Sequence, residues 1–413
     1  MNRRPRVCVV RQGFFPDDPR VRKEVLALLD RGFAVDVVCL RRQGEARRET
    51  WRGARVHRLP VPDRGGSAVN YALEYGLFFL LAFGVISALH LRRRFDVVQT
   101  NTLPDALIFA SLVPKLTGAK LVLDLHELMP ELFTAEREGR IAAPLARVLR
   151  FLERQAVRFA DEVLVANHAQ LDVISARTRG RRYTFVPNVP DDSLFGAGAG
   201  RPDRPDPPVP TLVVTSTIAR RYGIHVLIEA LPHILARRPV RALVLGVGPD
   251  LAALRELAAS LQVEHAVEFT GWVSPQHVPD YLAQSTVGIV PSASVYLDQV
   301  TPNKLFEFVA YDLPVVASDT PGVRAHFGDD AVQFFRSGDP EALAAAVLAV
   351  LASEERRQEL TRNAAAVFAT LRWELSKADY TDVFVRLSAD PDGPAFAHRQ
   401  PKHTTPKVPD AST

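Results

Sequence analysis

"GAGAGRPDRPDPPVP", residues 196–210, is a stretch that neither a helix nor a strand tolerates. Its glycines resist ordering and its prolines withhold backbone donors, so it reads as a linker. On each side of it the chain repeats one pattern. Before it come short apolar runs, "RVCVV", "AVDVVCL", "DVVQTN", "KLVLDL", "EVLVAN" and "YTFVPN", separated by helical stretches such as "DPRVRKEVLALLDRG" and "APLARVLRFLERQAVRFA". After it the pattern restarts with "TLVVTS", "RALVLGVG", "AVEFTG", "VGIVPSA" and "LPVVAS". Continuous Val/Ile/Leu runs alternating with helices are the mark of buried parallel strands in βαβ units. The expectation is an α/β protein with two doubly wound, Rossmann-like domains. The first spans 1–195 and the second 211–370, with C-terminal helices over 371–388 and a Pro- and Thr-rich, disordered tail over 389–413.

The 413 residues are enough for two cores. Apolar residues make up 47% and charged residues 24%, an ordinary globular balance. The net charge of +4 arises from 51 basic and 47 acidic residues that are interspersed, which argues against a nucleic-acid partner. Cys8 and Cys39 fall in neighbouring apolar runs, as buried thiols of a reducing cytosol do. The basic start "MNRRPRVCVVRQG" has too short an apolar run for a signal peptide.

Tyr75–Leu91, "YGLFFLLAFGVISALHL", carries no Asp, Glu, Lys or Arg and is followed by Arg92, Arg93 and Arg94. Its length is at the short end of a bilayer span. Strands before and after it should share one sheet, which disfavours a crossing. Two readings stay open: a helix buried in the domain, or one docked through residues 71–94 on an anionic membrane surface.

Ligands of doubly wound sheets bind beyond the C-terminal strand ends. At the first such end, "RQGFFPDDPRVRKE", Gly13 permits close approach and Asp17 or Asp18 can cap the next helix. A plain tight turn is the alternative. No G-x-G-x-x-G is present, so a dinucleotide cofactor is not expected. "LVLDLHELMPEL" sets Asp124, His126, Glu127 and Glu131 after a buried strand, where His can relay a proton and a carboxylate can orient it. The spacing is not a zinc pattern. In the second half, Arg220 and Arg221 precede a helix, suiting a diphosphate or simply water. Gly246 and Gly248 form a small-residue loop, and Gly271, Trp272 and Val273 end another strand. In "TPNKLFEF", Thr301 is the expected N-cap and Pro302 the first helical residue, with the helix running to about Tyr311. Lys304 and Glu307 share one face: a cation for phosphate oxygens and an acceptor for sugar hydroxyls, or an i,i+3 ion pair.

Taken in order, "FPDDPRVRKE", "DLHELMPE", "VPNV", "RRYGIHVLIEAL", "VLGVGPD", "VEFTGWV", "PNKLFE" and "LPVVASDTPGV" resemble the family 4 retaining glycosyltransferases of GT-B architecture (glycosyl transferases group 1). The resemblance runs from about Arg6 to about Leu387. It implies a nucleotide-sugar donor held by the second domain and a glycan or lipid-linked acceptor bound mainly by the first. It also implies no obligatory metal or cofactor, and a seat on the inner membrane face. Glu307 then meets the ribose, Arg221 and Lys304 the diphosphate, and His126 the transferred sugar. The donor pocket would further include Gly13, Ser216, Arg220, Gly246, Gly248 and Val273. The helix start adds Thr301, Pro302, Asn303 and Leu305. Asp124, Glu127, Asn188, Asp298 and Gln299 would lie near the sugar or acceptor. Two positions depart from the family pattern. Gln299 stands where many members have an acid, and Tyr222 where a Lys is common. These departures motivate one rival reading, a non-catalytic scaffold with a decayed donor site; a second rival, a nucleotide-sugar epimerase, can share the same architecture.

Overall fold

The computed structural model describes residues 3–62, 68–135, 142–190, 207–292 and 301–389. The expected tail from 390 onward, most of the linker, and Asp298 and Gln299 lie outside the described residues. The first domain is built on eight strands: β1 (Arg6–Phe14), β2 (Ala34–Leu40), β3 (Arg48–Trp51), β4 (Ala54–Leu59), β5 (Val97–Asn101), β6 (Lys120–Leu125), β7 (Glu162–Val165) and β8 (Tyr183–Phe185). Their order is β3-β4-β2-β1-β5-β6-β7-β8. All neighbours are parallel except the β3–β4 hairpin at the edge. That hairpin escaped the sequence reading because its strands, "RETW" and "ARVHRL", are full of charge. Its turn is Arg52-Gly53, both at positive φ, as a two-residue hairpin needs.

The second sheet comprises β9 (Thr211–Thr215), β10 (Arg241–Leu245), β11 (Val267–Gly271), β12 (Val287–Val290), β13 (Val315–Ser318) and β14 (Gln333–Phe335). It is wholly parallel, in the order β11-β10-β9-β12-β13-β14. Strand order reverses at β1/β5 in one sheet and at β9/β12 in the other, and ligand crevices open at such switch points. The helix Trp373–Ser388 then returns to the first domain. There Lys377 pairs with Asp30 at 2.9 Å, Arg386 with Glu162 at 2.9 Å, and the Tyr380 hydroxyl donates to Gln99 Oε1 at 2.7 Å. One apolar cluster consequently contains Val25 and Val35 of the first domain, Phe384 of the crossing helix and Phe308 of the second domain.

The helix Pro19–Asp30 is capped by Asp18, whose side chain accepts from the Arg20 and Val21 amides. It turns charged residues inward: Arg20, Arg22, Lys23 and Glu24 are all buried. Lys23 Nζ donates to the Val189 carbonyl at 2.5 Å and lies 4.6 Å from the centroid of the Trp373 ring. The chain's exit from the first domain and its return therefore rest on the same helix.

The apolar stretch forms one long helix, Ala68–Arg93. Phe78, Ala82, Ile86 and Leu89 pack inward, while Leu80 is 66% and Leu91 64% exposed. By length and composition Asn70–Arg93 could cross a membrane; here one face packs on the sheet that holds both β4 and β5. The basic end divides. Arg93 turns in to the buried Asp36, 2.9 Å away, which corrects the expectation of three outward arginines; Arg92 and Arg94 stay exposed. Cys8 and Cys39 are free and fully buried, in apolar clusters separate from each other.

Candidate active site

On the second-domain side the site is organised by the helix Asn303–Ala310. Its N-cap is Pro302, one residue later than expected. The Thr301 hydroxyl does not cap: it donates to the Gly322 carbonyl at 2.7 Å, a tertiary contact that outcompetes the local one. Asn303 is exposed at the helix start. Leu305 is also corrected, since its side chain is wholly in the core and its amide is taken by the Pro302 carbonyl.

Lys304 is buried to 9% exposure, and its ammonium donates to Ser216 Oγ at 3.0 Å, so the local i,i+3 ion pair is not formed. It lies 5.0 Å from the centroid of the Tyr222 ring, and the Arg221 guanidinium lies 4.9 Å from the same ring. Tyr222, the residue standing where a Lys is common, thus gives two cations one shared aromatic ring, which attracts both and tempers their repulsion. Burial lowers the Lys304 pKa to about 8, against the pull of Glu307. Burial likewise raises Glu307 to about 7, with Lys304 and the Thr215 hydroxyl pulling it down.

Three loops hold these groups in register. A Cβ on Gly246 would lie 1.8 Å from the Ser216 carbonyl oxygen, and one on Gly248 2.1 Å from that of Ile218. The two glycines therefore serve the site by letting the loop after β10 lie directly on the loop after β9. The Ile218 amide donates to the Val247 carbonyl at 2.9 Å, and the Gly246 amide to that of Gly271 at 2.9 Å. Arg220 is tied by its amide to Asp250 Oδ2 at 2.6 Å. Val273, half-buried, and Trp272, exposed, continue the row after β11.

Across the cleft, His126 follows β6. Its amide donates to Thr102 Oγ1 at 3.0 Å, its carbonyl accepts from Gln170 at 3.0 Å, and Nε2 lies 3.0 Å from Asp124 Oδ2. Arg20 grips both oxygens of Asp124, at 2.6 and 2.8 Å. Burial alone would raise the Asp124 carboxyl; the Arg20 cation, helped by a hydrogen bond from His126, outweighs it and keeps it ionised. Burial, then the Arg11 cation, lower the His126 pKa, so the imidazole is neutral at neutral pH. Burial, then Asp124, push Glu24 up to about 8. Gly13 lies in the last turn of β1, where an added Cβ would press on the Arg11 side chain at 3.3 Å.

The two sides meet at a cavity of about 30 Å³ lined by His126, Asn167, Asn188, Thr301, Asn303, Phe306 and His326. Asn167, Phe306 and His326 were missed from sequence. His326 is held down to about pKa 4, by burial and then by His168, so it is a neutral imidazole too. His126, Asn188 and Asn303 thus come together at the interdomain face, with Asp124 buried behind His126, while Ser216, Arg221 and Lys304 gather around Tyr222 and the helix that carries Glu307. Glu127 is half-buried beside His126. Among the described residues no cluster of three or more His, Cys, Asp or Glu side chains is placed to hold a metal ion.

Two facing Rossmann-like sheets, with a helix N-terminus and two cations beside the cleft, define a GT-B sugar-transferring frame. Residues 18–189 match the glycosyl transferase 4-like domain and residues 209–353 the glycosyl transferases group 1 family. The chain belongs to that glycosyltransferase family. The D-inositol 3-phosphate glycosyltransferase of Xylanimonas cellulosilytica is 28% identical over 287 residues, 65% of this chain and 66% of that one. A GDP-mannose-dependent alpha-(1-6)-phosphatidylinositol monomannoside mannosyltransferase of Mycobacterium tuberculosis is 35% identical over 117 residues, 27% of this chain and 30% of that one. The chain thus matches just under two thirds of the first relative's length and less than a third of the second's. In fold, the sucrose-phosphate synthase of Thermosynechococcus elongatus is similar with a TM-score of 0.75, covering 93% of this chain and 99% of that one at 18% identity.

Proposed function

We propose that this glycosyltransferase moves a sugar from a nucleotide diphosphate to a hydroxyl acceptor with retention at the anomeric carbon, without a metal. One observation carries the reading: Lys304 and Arg221 converge on Tyr222 beside the helix Asn303–Ala310. Charge develops on the departing diphosphate, and preorganised cations aimed there lower the barrier. Glu307, acceptor-only when ionised, receives the ribose hydroxyls. His126 faces the transferred sugar, and the acceptor hydroxyl enters on the face the diphosphate leaves. Closure of the cleft limits donor hydrolysis by excluding water. Because the two curated relatives are named for inositol 3-phosphate and a phosphatidylinositol mannoside, an inositol phosphate or its lipid is the first acceptor class to try.

A panel of UDP-, GDP- and ADP-sugars with such acceptors tests this, with the anomeric configuration of the product read by NMR. A new glycosidic bond of unchanged configuration is the expected result. Inversion overturns the retaining mechanism, epimerised donor alone points to an epimerase, and failure to bind any nucleoside diphosphate points to a decayed scaffold. Undiminished transfer in EDTA is expected, and its loss overturns metal independence.

The protein is further proposed to sit on the cytoplasmic face of a membrane as a peripheral enzyme. The outer face of the helix Ala68–Arg93 supports this, together with Leu116 and Phe151, which is 58% exposed. Arg92, Arg94, Arg147, Arg150, Arg154 and Arg158 are exposed on or directly after the two helices that carry Leu80 and Phe151, and they suit anionic headgroups. The full chain should float with phosphatidylglycerol vesicles and stay down with phosphatidylcholine. Leu80→Asp combined with Phe151→Asp should abolish flotation; unchanged flotation of that variant, or none by the wild type, sinks the docking surface.

A further inference from the structure

Tyr380 belongs to the helix that crosses back from the second domain, yet its fully buried hydroxyl ends in the polar core of the first. It donates to Gln99 Oε1 at 2.7 Å. That bond orients the Gln99 amide, whose nitrogen then donates to Glu24 Oε2 at 2.8 Å and to Asn101 Oδ1 at 3.2 Å. With Oδ1 so occupied, Asn101 must turn its nitrogen the other way. Nδ2 lies 2.8 Å from Asp124 Oδ2, 3.0 Å from Glu24 Oε2 and 3.2 Å from His126 Nε2.

An amide nitrogen has two hydrogens. Both are claimed by carboxyl oxygens, so Asn101 has none left for His126. The Nε2 atom of His126 also faces Asp124 Oδ2 at 3.0 Å, and a lone pair there would oppose an ionised carboxylate. Nε2 must therefore carry the proton and donate it to Asp124. We infer that Tyr380 is a positioning residue for His126: through Gln99 it orients Asn101, whose amide holds Asp124 Oδ2, and Asp124 in turn fixes the imidazole as the Nε2–H tautomer, leaving Nδ1 as the acceptor His126 offers to a substrate hydroxyl. The chain of bonds runs across β5 and β6, where Asn101 and Asp124 are register partners. The crossing helix thereby reports its seating to the cleft.

The inference rests on the proposed transfer reaction for its kinetic arm alone. The spectroscopic arm uses the full chain labelled with 15N-histidine, and long-range 1H–15N correlation identifies each ring's tautomer. His126→Gln assigns the signal. The wild type should show His126 as a single Nε2–H species, and an Nδ1–H pattern overturns the inference at once. Tyr380→Phe should shift the His126 Nε2–H resonance, as the hold of Asn101 on Asp124 slackens, and lower kcat about ten-fold, the worth of one hydrogen bond, with donor KM unchanged. A Tyr380→Phe protein whose His126 resonances stay where they are in the wild type also overturns it. If that variant does not fold, Gln99→Met cuts the same chain from the first-domain side and is read by the same signal. Absence of transferase activity in the wild type would count against the reaction while leaving the tautomer result to stand.

Discussion

Lys304→Met is expected to lower kcat by about 10²- to 10³-fold, the range for loss of one preorganised donor at a developing negative charge. Met keeps the buried stem and removes the ammonium, so the helix Asn303–Ala310 retains its packing while the diphosphate loses a cation. Arg221 remains beside Tyr222, which is why some activity should survive. The same substitution should raise thermal stability at neutral pH. The folded-state pKa of Lys304 is about 8, against 10.5 for the free side chain, because burial opposes the charge. Below pH 8 the ionised group therefore destabilises the fold, and that cost fades as pH rises from 8 toward 10.5. Melting curves at about pH 7 and about pH 10 should show the gain of the variant shrinking at the higher pH. Wild-type kcat in the variant removes Lys304 from the donor pocket.

Glu307→Ala should reduce kcat/KM for the donor by roughly 10²- to 10³-fold, as two charge-assisted hydrogen bonds to the ribose are lost. Most of the change should fall on KM, because the ribose is bound alike in ground and transition states. The free enzyme binds donor best with Glu307 ionised and Lys304 protonated. Since these groups titrate near 7 and 8, kcat/KM should follow a narrow bell between those limbs. Glu307→Gln should remove the acid limb while keeping the alkaline one. An unaltered profile in Glu307→Gln would place the acid limb on another group.

The two parallel sheets were legible because buried strands write themselves as apolar runs, "KLVLDL" and "TLVVTS" among them. The β3–β4 hairpin was not, since an exposed edge strand has no such run. Helix starts depend on competition: Thr301 looks like a cap until Gly322 offers its hydroxyl a partner 21 residues away. Arg221, Lys304 and Glu307 could be singled out as candidates from charge set in or near the start of a helix and from the family resemblance. What holds His126 could not. Gln99 and Tyr380 are 281 residues apart, and nothing local to either predicts that they touch. His326 was hidden likewise, as only the approach of the two domains gives it a role.

The interdomain cavity of about 30 Å³ has room for a water, whereas pockets for small ligands run to about 300–1,000 Å³. Both substrates and both products are far larger than that space. For the proposed transfer, the cleft is therefore expected to part to admit the donor and to close over it. The two segments that rest on Lys23, the exit at Val189 and the returning helix at Trp373, are where such a parting would pivot.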